Sequence, residues 1–321
     1  MAIQQMLLKS YGAGIVPWYG SRGLFSGGYA AGNVTQYITI ASTGDASNFG
    51  SLGFGPYTRY NQSGGSGGGR AIVTGGQDAG GPYQSSDEAV YYTIANTGNA
   101  SAYGDLTAAI HQQTGMSNGT TLLLAGGGGY ETGIEYYTIA STADAQSWGT
   151  LCCGQSGGRY SAAGCADATR GILAGGSGPD GQAGPFTNRI QYLSMESTGN
   201  ASDFGDLTLA RGHFAAVSNL TRGVFCGGYS PTNTPSHGGH DKFTMDYITI
   251  QSTGNATDFG DLTQKTQSPG ATQSLVRGVI GGGYTPETGK MDYFTIDTTG
   301  NGTDFGNFAT DTSGAVGGSG D

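Results

Sequence analysis

Apolar residues fall in short, strand-length runs broken by glycine and small polar residues, and nowhere do they hold a 3.6-residue period over about eleven positions. That pattern predicts β-strands joined by turns and almost no helix. One segment recurs six times. It reads Tyr37-Ile-Thr-Ile-Ala-Ser-Thr-Gly44 in its first copy, with later copies led by Tyr91, Tyr136, Tyr192, Tyr247 and Tyr293. Its β-branched and aromatic residues suit a strand, and the Gly/Asn chemistry that follows suits a turn. After each copy comes an aromatic-glycine pair and then an apolar residue: Phe49-Gly50, Tyr103-Gly104, Trp148-Gly149, Phe204-Gly205, Phe259-Gly260 and Phe305-Gly306.

A second segment precedes each of these. It is an apolar strand ending in a glycine doublet, as in Arg22-Gly-Leu-Phe-Ser-Gly27-Gly28, and the later doublets are Gly75-Gly76, Gly126-Gly127, Gly175-Gly176, Gly227-Gly228 and Gly282-Gly283. Upstream of five copies lies a further short strand, clearest in Ala210-Arg-Gly-His-Phe-Ala-Ala-Val-Ser218. Four strands per unit in six units describe an all-β, six-bladed β-propeller over residues 21–321, preceded by an arm over residues 1–20. The first unit lacks an inner strand. The segment Ala309-Thr-Asp-Thr-Ser-Gly-Ala-Val316 falls where one is needed and is expected to close the ring on the Arg22 strand, removing open sheet edges. The doublets are expected to turn the chain through torsions that a Cβ opposes.

These doublets, with the tyrosine-led strand and the aromatic that follows it, resemble the kelch repeat, in which a strand ending in Gly-Gly precedes one with an aromatic and an outer strand led by Trp. Here that Trp is kept only at Trp148 and is Phe or Tyr elsewhere. The resemblance implies a large ring packed between blades.

Composition narrows the function. Glycine supplies 63 of 321 residues, charged residues only 11%, and the formal net charge is −10. There is no basic cluster among the 13 Lys and Arg, so nucleic acid and anionic membrane surfaces are not expected partners. No apolar stretch is long enough for a membrane helix. The opening residues lack a basic n-region and a long apolar core, so no secretory signal is expected.

Candidate chemistry is sparse. His237-Gly-Gly-His240 with Asp241 has metal-like residue types, but its glycine spacer preorganises little, so no metal, cofactor or catalytic residue is expected. Two adjacent cysteines, Cys152 and Cys153, are poorly placed for a mutual disulfide, and all four cysteines are expected to be free thiols. The recurring turn oxygens, such as Asn200, Asp203 and Asp206, are read as turn caps. The recurring Arg22, Arg70, Arg170, Arg222 and Arg277 are read as bonding carbonyls or turn carboxylates between blades. His213 is placed on an inner strand in a structural role.

The arm carries Ile3, Met6, Leu7, Leu8, Ile15, Val16 and Trp18, an apolar set expected to dock on a partner. Its opening Met-Ala-Ile-Gln-Gln-Met-Leu-Leu, and the Gly-rich Thr-Ile-x-Ser-Thr-Gly-Asn-Ala-Thr-Asp-Phe-Gly repeats, resemble structural proteins of tailed phages of marine bacteria and cyanobacteria. The resemblance implies a non-enzymatic virion protein of a tail, fibre or capsid surface, held to other virion proteins by the arm and open to homo-oligomers. Loop residues Tyr57, Tyr60, Tyr83, Tyr160 and Tyr229 are candidates for stacking on host-surface glycans. The rival readings are a carbohydrate-active enzyme or lectin on the same scaffold, and a cellular kelch adaptor. An enzyme of that kind needs paired carboxylates, and the sequence selects none.

Overall fold

The computed structural model describes residues 19–54, 58–78, 84–152, 158–178, 186–234, 239–284 and 289–320. Among these there is no helix. Six antiparallel sheets, each built on four successive strands, form a six-bladed β-propeller. From the axis outward, the first blade comprises Val316–Gly320, Arg22–Ser26, Val34–Thr39 and Ser47–Ser51. The second comprises Ser63–Gly67, Arg70–Thr74, Ser86–Thr93 and Ser101–Ile110, and the third Thr114–Ser117, Thr121–Ala125, Gly133–Thr138 and Gln146–Thr150. The fourth comprises Ala163–Ala166, Arg170–Ala174, Arg189–Ser194 and Ser202–Asp206. The fifth comprises Ala215–Ser218, Arg222–Cys226, Gly239–Thr249 and Thr257–Thr266, with Tyr229–Thr234 added on its third strand. The sixth comprises Gly270–Gln273, Arg277–Gly281, Lys290–Thr295 and Thr303–Asn307.

The ring closes as expected in kind, though not in place. Val316–Gly320, rather than 309–316, pairs antiparallel with Arg22–Ser26, setting Val316 opposite Ser26 and Gly320 opposite Arg22. Residues 309–315 instead lead into the axis, where Thr312 Oγ1 donates to the Gly27 carbonyl at 3.0 Å.

Every blade carries a register shift at the same place, where the third strand meets the aromatic-glycine pair. In the first blade Thr35 faces Gly50 and Gln36 faces Asn48, leaving Phe49 as the extra residue. The equivalent shifts lie at Ala89/Val90, Ile134/Glu135, Ile190/Gln191, Met245/Asp246 and Met291/Asp292. A bulge re-aims the side chain it displaces. Here it sends the aromatic ring into the core: Phe49 packs edge-on against Tyr37 of its own blade and Tyr92 of the next, at centroid distances of 5.9 and 5.4 Å. All six such rings are buried, while the leading tyrosines are half-buried.

Three sets of contacts join neighbouring blades. In the first, the glycine of the aromatic-glycine pair lies against the neighbouring turn: a Cβ on Gly50 would strike the Gly98 carbonyl, and one on Gly306 the Gly44 carbonyl. In that turn an Asn or Asp accepts an outer-strand N–H, as Asn99 does from Ser51, Asn255 from Asp206 and Asp45 from Asn307. The turn-cap oxygens therefore cap the neighbouring blade. In the second set, the recurring arginines donate to carbonyls of the following blade, Arg22 to Ile94, Arg70 to Ile139, Arg170 to Ile250, Arg222 to Ile296 and Arg277 to Ile40. Each guanidinium also lies 4.2–4.8 Å over its own blade's leading tyrosine. The third set is absent from the sequence reading. The residue before the leading tyrosine is polar and buried in five blades, and reaches back to the preceding blade. Gln36 exchanges two hydrogen bonds with the Thr310 backbone, Gln191 does so with Cys152, and Asp292 accepts from Thr263.

Candidate functional site

At one end of the axis the chain enters each inner strand through a residue in the left-handed backbone region. These are Asn61, Gln112, Ser161, His213, Ser268 and Gly314, with φ between 55° and 69°. They form a ring. The N–H of Gln112 donates to the Asn61 carbonyl, Ser161 to Gln112, His213 to Ser161, Ser268 to His213 and Gly314 to Ser268. Each donation passes from one blade to its predecessor, so the mouth is fixed by backbone while its side chains remain free to differ.

Within this ring lies a depression of about 210 Å³. Its floor is Gly64, Gly115, Gly164, Ala216, Ala271 and Gly317, one from each inner strand, and these also line the space of about 100 Å³ at the far end of the axis. Close approach demands small residues: a Cβ on Gly115 would strike the Gly64 carbonyl, and one on Gly317 the Ala271 carbonyl. No carboxylate, Lys or Arg is among the described lining residues. Ser63 Oγ and Ser161 Oγ, both lining the mouth, are buried without a hydrogen-bond partner. His213 precedes its inner strand rather than lying on it. Burial pushes its pKa down to about 4, so it is neutral at pH 7, with Ser268 Oγ 3.5 Å from Nδ1 and the Phe186 ring beside it.

A crown of aromatic rings stands around the mouth, one residue outward from the ring. Tyr60 precedes Asn61 and Tyr160 precedes Ser161. Tyr29 donates its N–H to Ser313, beside Gly314. Tyr284 donates to Gln267, beside Ser268, and Tyr229 exchanges backbone bonds with Gly212, beside His213. The rings cluster: Tyr29 packs edge-on against Tyr60 and Tyr284 at 5.7 and 6.4 Å, Tyr130 against Tyr160 at 5.3 Å, and Tyr229 lies between Phe186 and His240. Tyr29, Tyr284 and Tyr130 are 57%, 53% and 43% exposed.

The structure thus brings Tyr60, Tyr160 and Tyr229 onto one face, half-buried, whereas Tyr57 and Tyr83 lie outside the described residues. The more exposed Tyr29 and Tyr284 were missed, although each directly follows a glycine doublet and could have been read there. All twelve doublet glycines have positive φ, from 59° to 138°. The second N–H of five doublets holds the approach to the mouth, as Gly176 donates to Arg211 and Gly228 to Thr266.

Other expectations are corrected or fall outside. Cys152 is disulfide-bonded rather than a free thiol. Cys153, its neighbour in sequence, lies outside the described residues. Cys165 and Cys226 are free, and burial raises both thiol pKa values. His240 stacks on Tyr229, with Nδ1 3.1 Å from the Ser230 carbonyl, while His237 lies outside the described residues. An ion pair unread in the sequence, Arg211 with Asp246 at 3.0 Å, is wholly buried beneath the fifth blade's side of the mouth. The arm residues Ile3, Met6, Leu7, Leu8, Ile15, Val16 and Trp18 lie outside the described residues. Tyr19 is buried against Leu220 and Leu275. Those two leucines sit in the turns between inner and second strands, on the face opposite the mouth.

A second cavity, of about 200 Å³ between the second and third blades, is lined by Glu131 and Glu135. Glu135 is occupied by Thr107 and Gln113, which donate to its two oxygens at 2.7–2.9 Å. No family model matches the chain, and no curated protein matches its sequence.

Proposed function

We propose that this chain is a non-enzymatic display protein of a tailed-phage particle, on its tail, fibre or capsid surface, whose propeller presents a saccharide-binding face to the host. The observation that carries the binding part is the crown of tyrosines around a mouth lined by neutral polar side chains. Aromatic faces with a few fixed hydrogen-bonding groups suit the apolar faces and hydroxyl edges of sugars. The phage assignment rests on the opening motif and the repeat phrasing of the sequence. Tyr19, the first described residue, packs on the face opposite the tyrosines.

Against a glycosidase at the crown stands the chemistry of the axial mouth. Glycoside hydrolysis uses two carboxylates flanking the bond, and the axial mouth offers none among its described lining residues. The decisive experiment is fractionation of intact particles. The polypeptide should co-purify with them and be released when residues 1–18 are removed. Particles carrying Tyr29→Ala with Tyr60→Ala should adsorb more weakly to host cells. A polypeptide absent from particles defeats the assignment.

A further inference from the structure

We infer that the axial mouth is a subsite for the terminal residue of a neutral saccharide, with the tyrosine crown carrying the units behind it. The inference rests on the saccharide-binding reading and deepens it.

Size argues for a chain end. The depression of about 210 Å³ is smaller than the roughly 300–1,000 Å³ of sites for drug-sized ligands. Its floor is the glycine and alanine collar, one residue from each inner strand, with only about 100 Å³ of space beyond it. One sugar ring is the unit that fits.

Lining chemistry argues for hydroxyls. Asn61 and Gln112 each offer an amide that donates and accepts, and Ser161 and Ser268 each offer a hydroxyl. Ser63 Oγ and Ser161 Oγ are buried with no partner. A buried polar group left unpaired is unfavourable, and a polyhydroxylated ring supplies partners of both kinds. His213, neutral because burial lowers its pKa, adds no charge.

Charge argues for a neutral sugar. A uronic or sialic acid would bring a carboxylate into a mouth without Lys or Arg among its described lining residues, on a chain of net charge −10. Desolvating an unpaired charge there is strongly unfavourable.

Gly314 provides the test. It lies in the ring with φ 69°, and a Cβ there meets nothing within 4 Å. Asn is among the residues that best tolerate that backbone and holds the equivalent position at Asn61 with φ 57°, so Gly314→Asn adds a polar side chain to the mouth's ring at small backbone cost. The probes are an array of neutral and acidic oligosaccharides attached through their reducing ends, then titration with methyl glucoside, galactoside and mannoside. The expected result is binding to neutral chains, competition by the methyl glycoside of the terminal sugar, and at least tenfold weaker binding by Gly314→Asn with unchanged melting. Binding undiminished in Gly314→Asn, or confined to acidic chains, overturns the inference while the saccharide-binding reading stands. Absence of binding to any saccharide overturns both.

Discussion

Arg277 of the sixth blade donates from Nη1 to the carbonyl oxygen of Ile40 in the first, 3.0 Å away across the seam where the chain's two ends meet. Its guanidinium lies 4.2 Å over Tyr293. A hydrogen bond involving a charged group contributes about 1.5–3 kcal/mol. Arg277→Ala should lower unfolding free energy by about that amount, measured by urea denaturation. Arg277→Lys should recover only part of it, because an ammonium lacks the planar face that stacks on the ring. Full recovery by Lys would show that charge alone matters at this position.

The third blade has Thr121 where five others have arginine. The missing clamp would reach from there toward the fourth blade, over Tyr136. Thr121→Arg should therefore stabilise the ring, by about 1 kcal/mol from the carbonyl bond and the stacked ring. A thermal melt no higher than that of the parent chain would refute this.

Gly50 and Gly98 meet across the seam between the first and second blades, yet they should respond oppositely to a methyl group. A Cβ on Gly50 strikes the Gly98 carbonyl, which is backbone and cannot step aside, whereas a Cβ on Gly98 meets nothing within 4 Å. Gly50→Ala should cost about 1–3 kcal/mol or more, as overpacking does. Gly98→Ala should be neutral or stabilising by up to about 1 kcal/mol. Chemical denaturation of the two variants side by side decides the matter.

The propeller was legible because its strands repeat by side-chain type: tyrosine-led strand, glycine doublet and aromatic-glycine pair each recur six times. What repeats only as backbone was not. The mouth ring is Asn61, Gln112, Ser161, His213, Ser268 and Gly314, residues with no common side chain and one shared torsion. The closing strand was placed too early for a related reason, since Val316–Gly320 is a run of small residues with little strand character of its own. Its conformation comes from pairing with Arg22–Ser26. The buried polar position at Gln36, Glu135, Gln191, Asp246 and Asp292 could have been found, because a polar residue inside an otherwise apolar strand one place before a repeated tyrosine asks for a partner.

That closing strand sets the cooperativity of the ring. Deleting residues 316–320 leaves Arg22–Ser26 with an unpaired edge and opens the contact of Gly317 with Ala271. The shortened chain should lose the single unfolding transition of the closed ring and aggregate through the bared edge. Calorimetry and size-exclusion chromatography test this. One undiminished transition in a monomer would mean that the strand is an addition to a self-sufficient ring.

His213 should make the ring sensitive to acid. Burial holds its folded pKa near 4, against 6.5 for an unburied histidine. Between those values the unfolded chain binds the proton and the folded chain does not. Stability therefore rises with pH across this window, and is lost as pH falls from about 6.5 to about 4. The full shift corresponds to at most about 3 kcal/mol. Asn accepts the left-handed backbone that His213 adopts at φ 56°, so His213→Asn should keep the ring while removing this loss. His111, also lowered by burial, leaves a residual acid dependence of the same sign in both proteins. Urea denaturation at pH 7, 5.5 and 4 should show the parent chain losing about 2–3 kcal/mol more than the variant. Parallel pH profiles would place the acid sensitivity elsewhere, with the buried carboxylates that tie the blades together as the next groups to test.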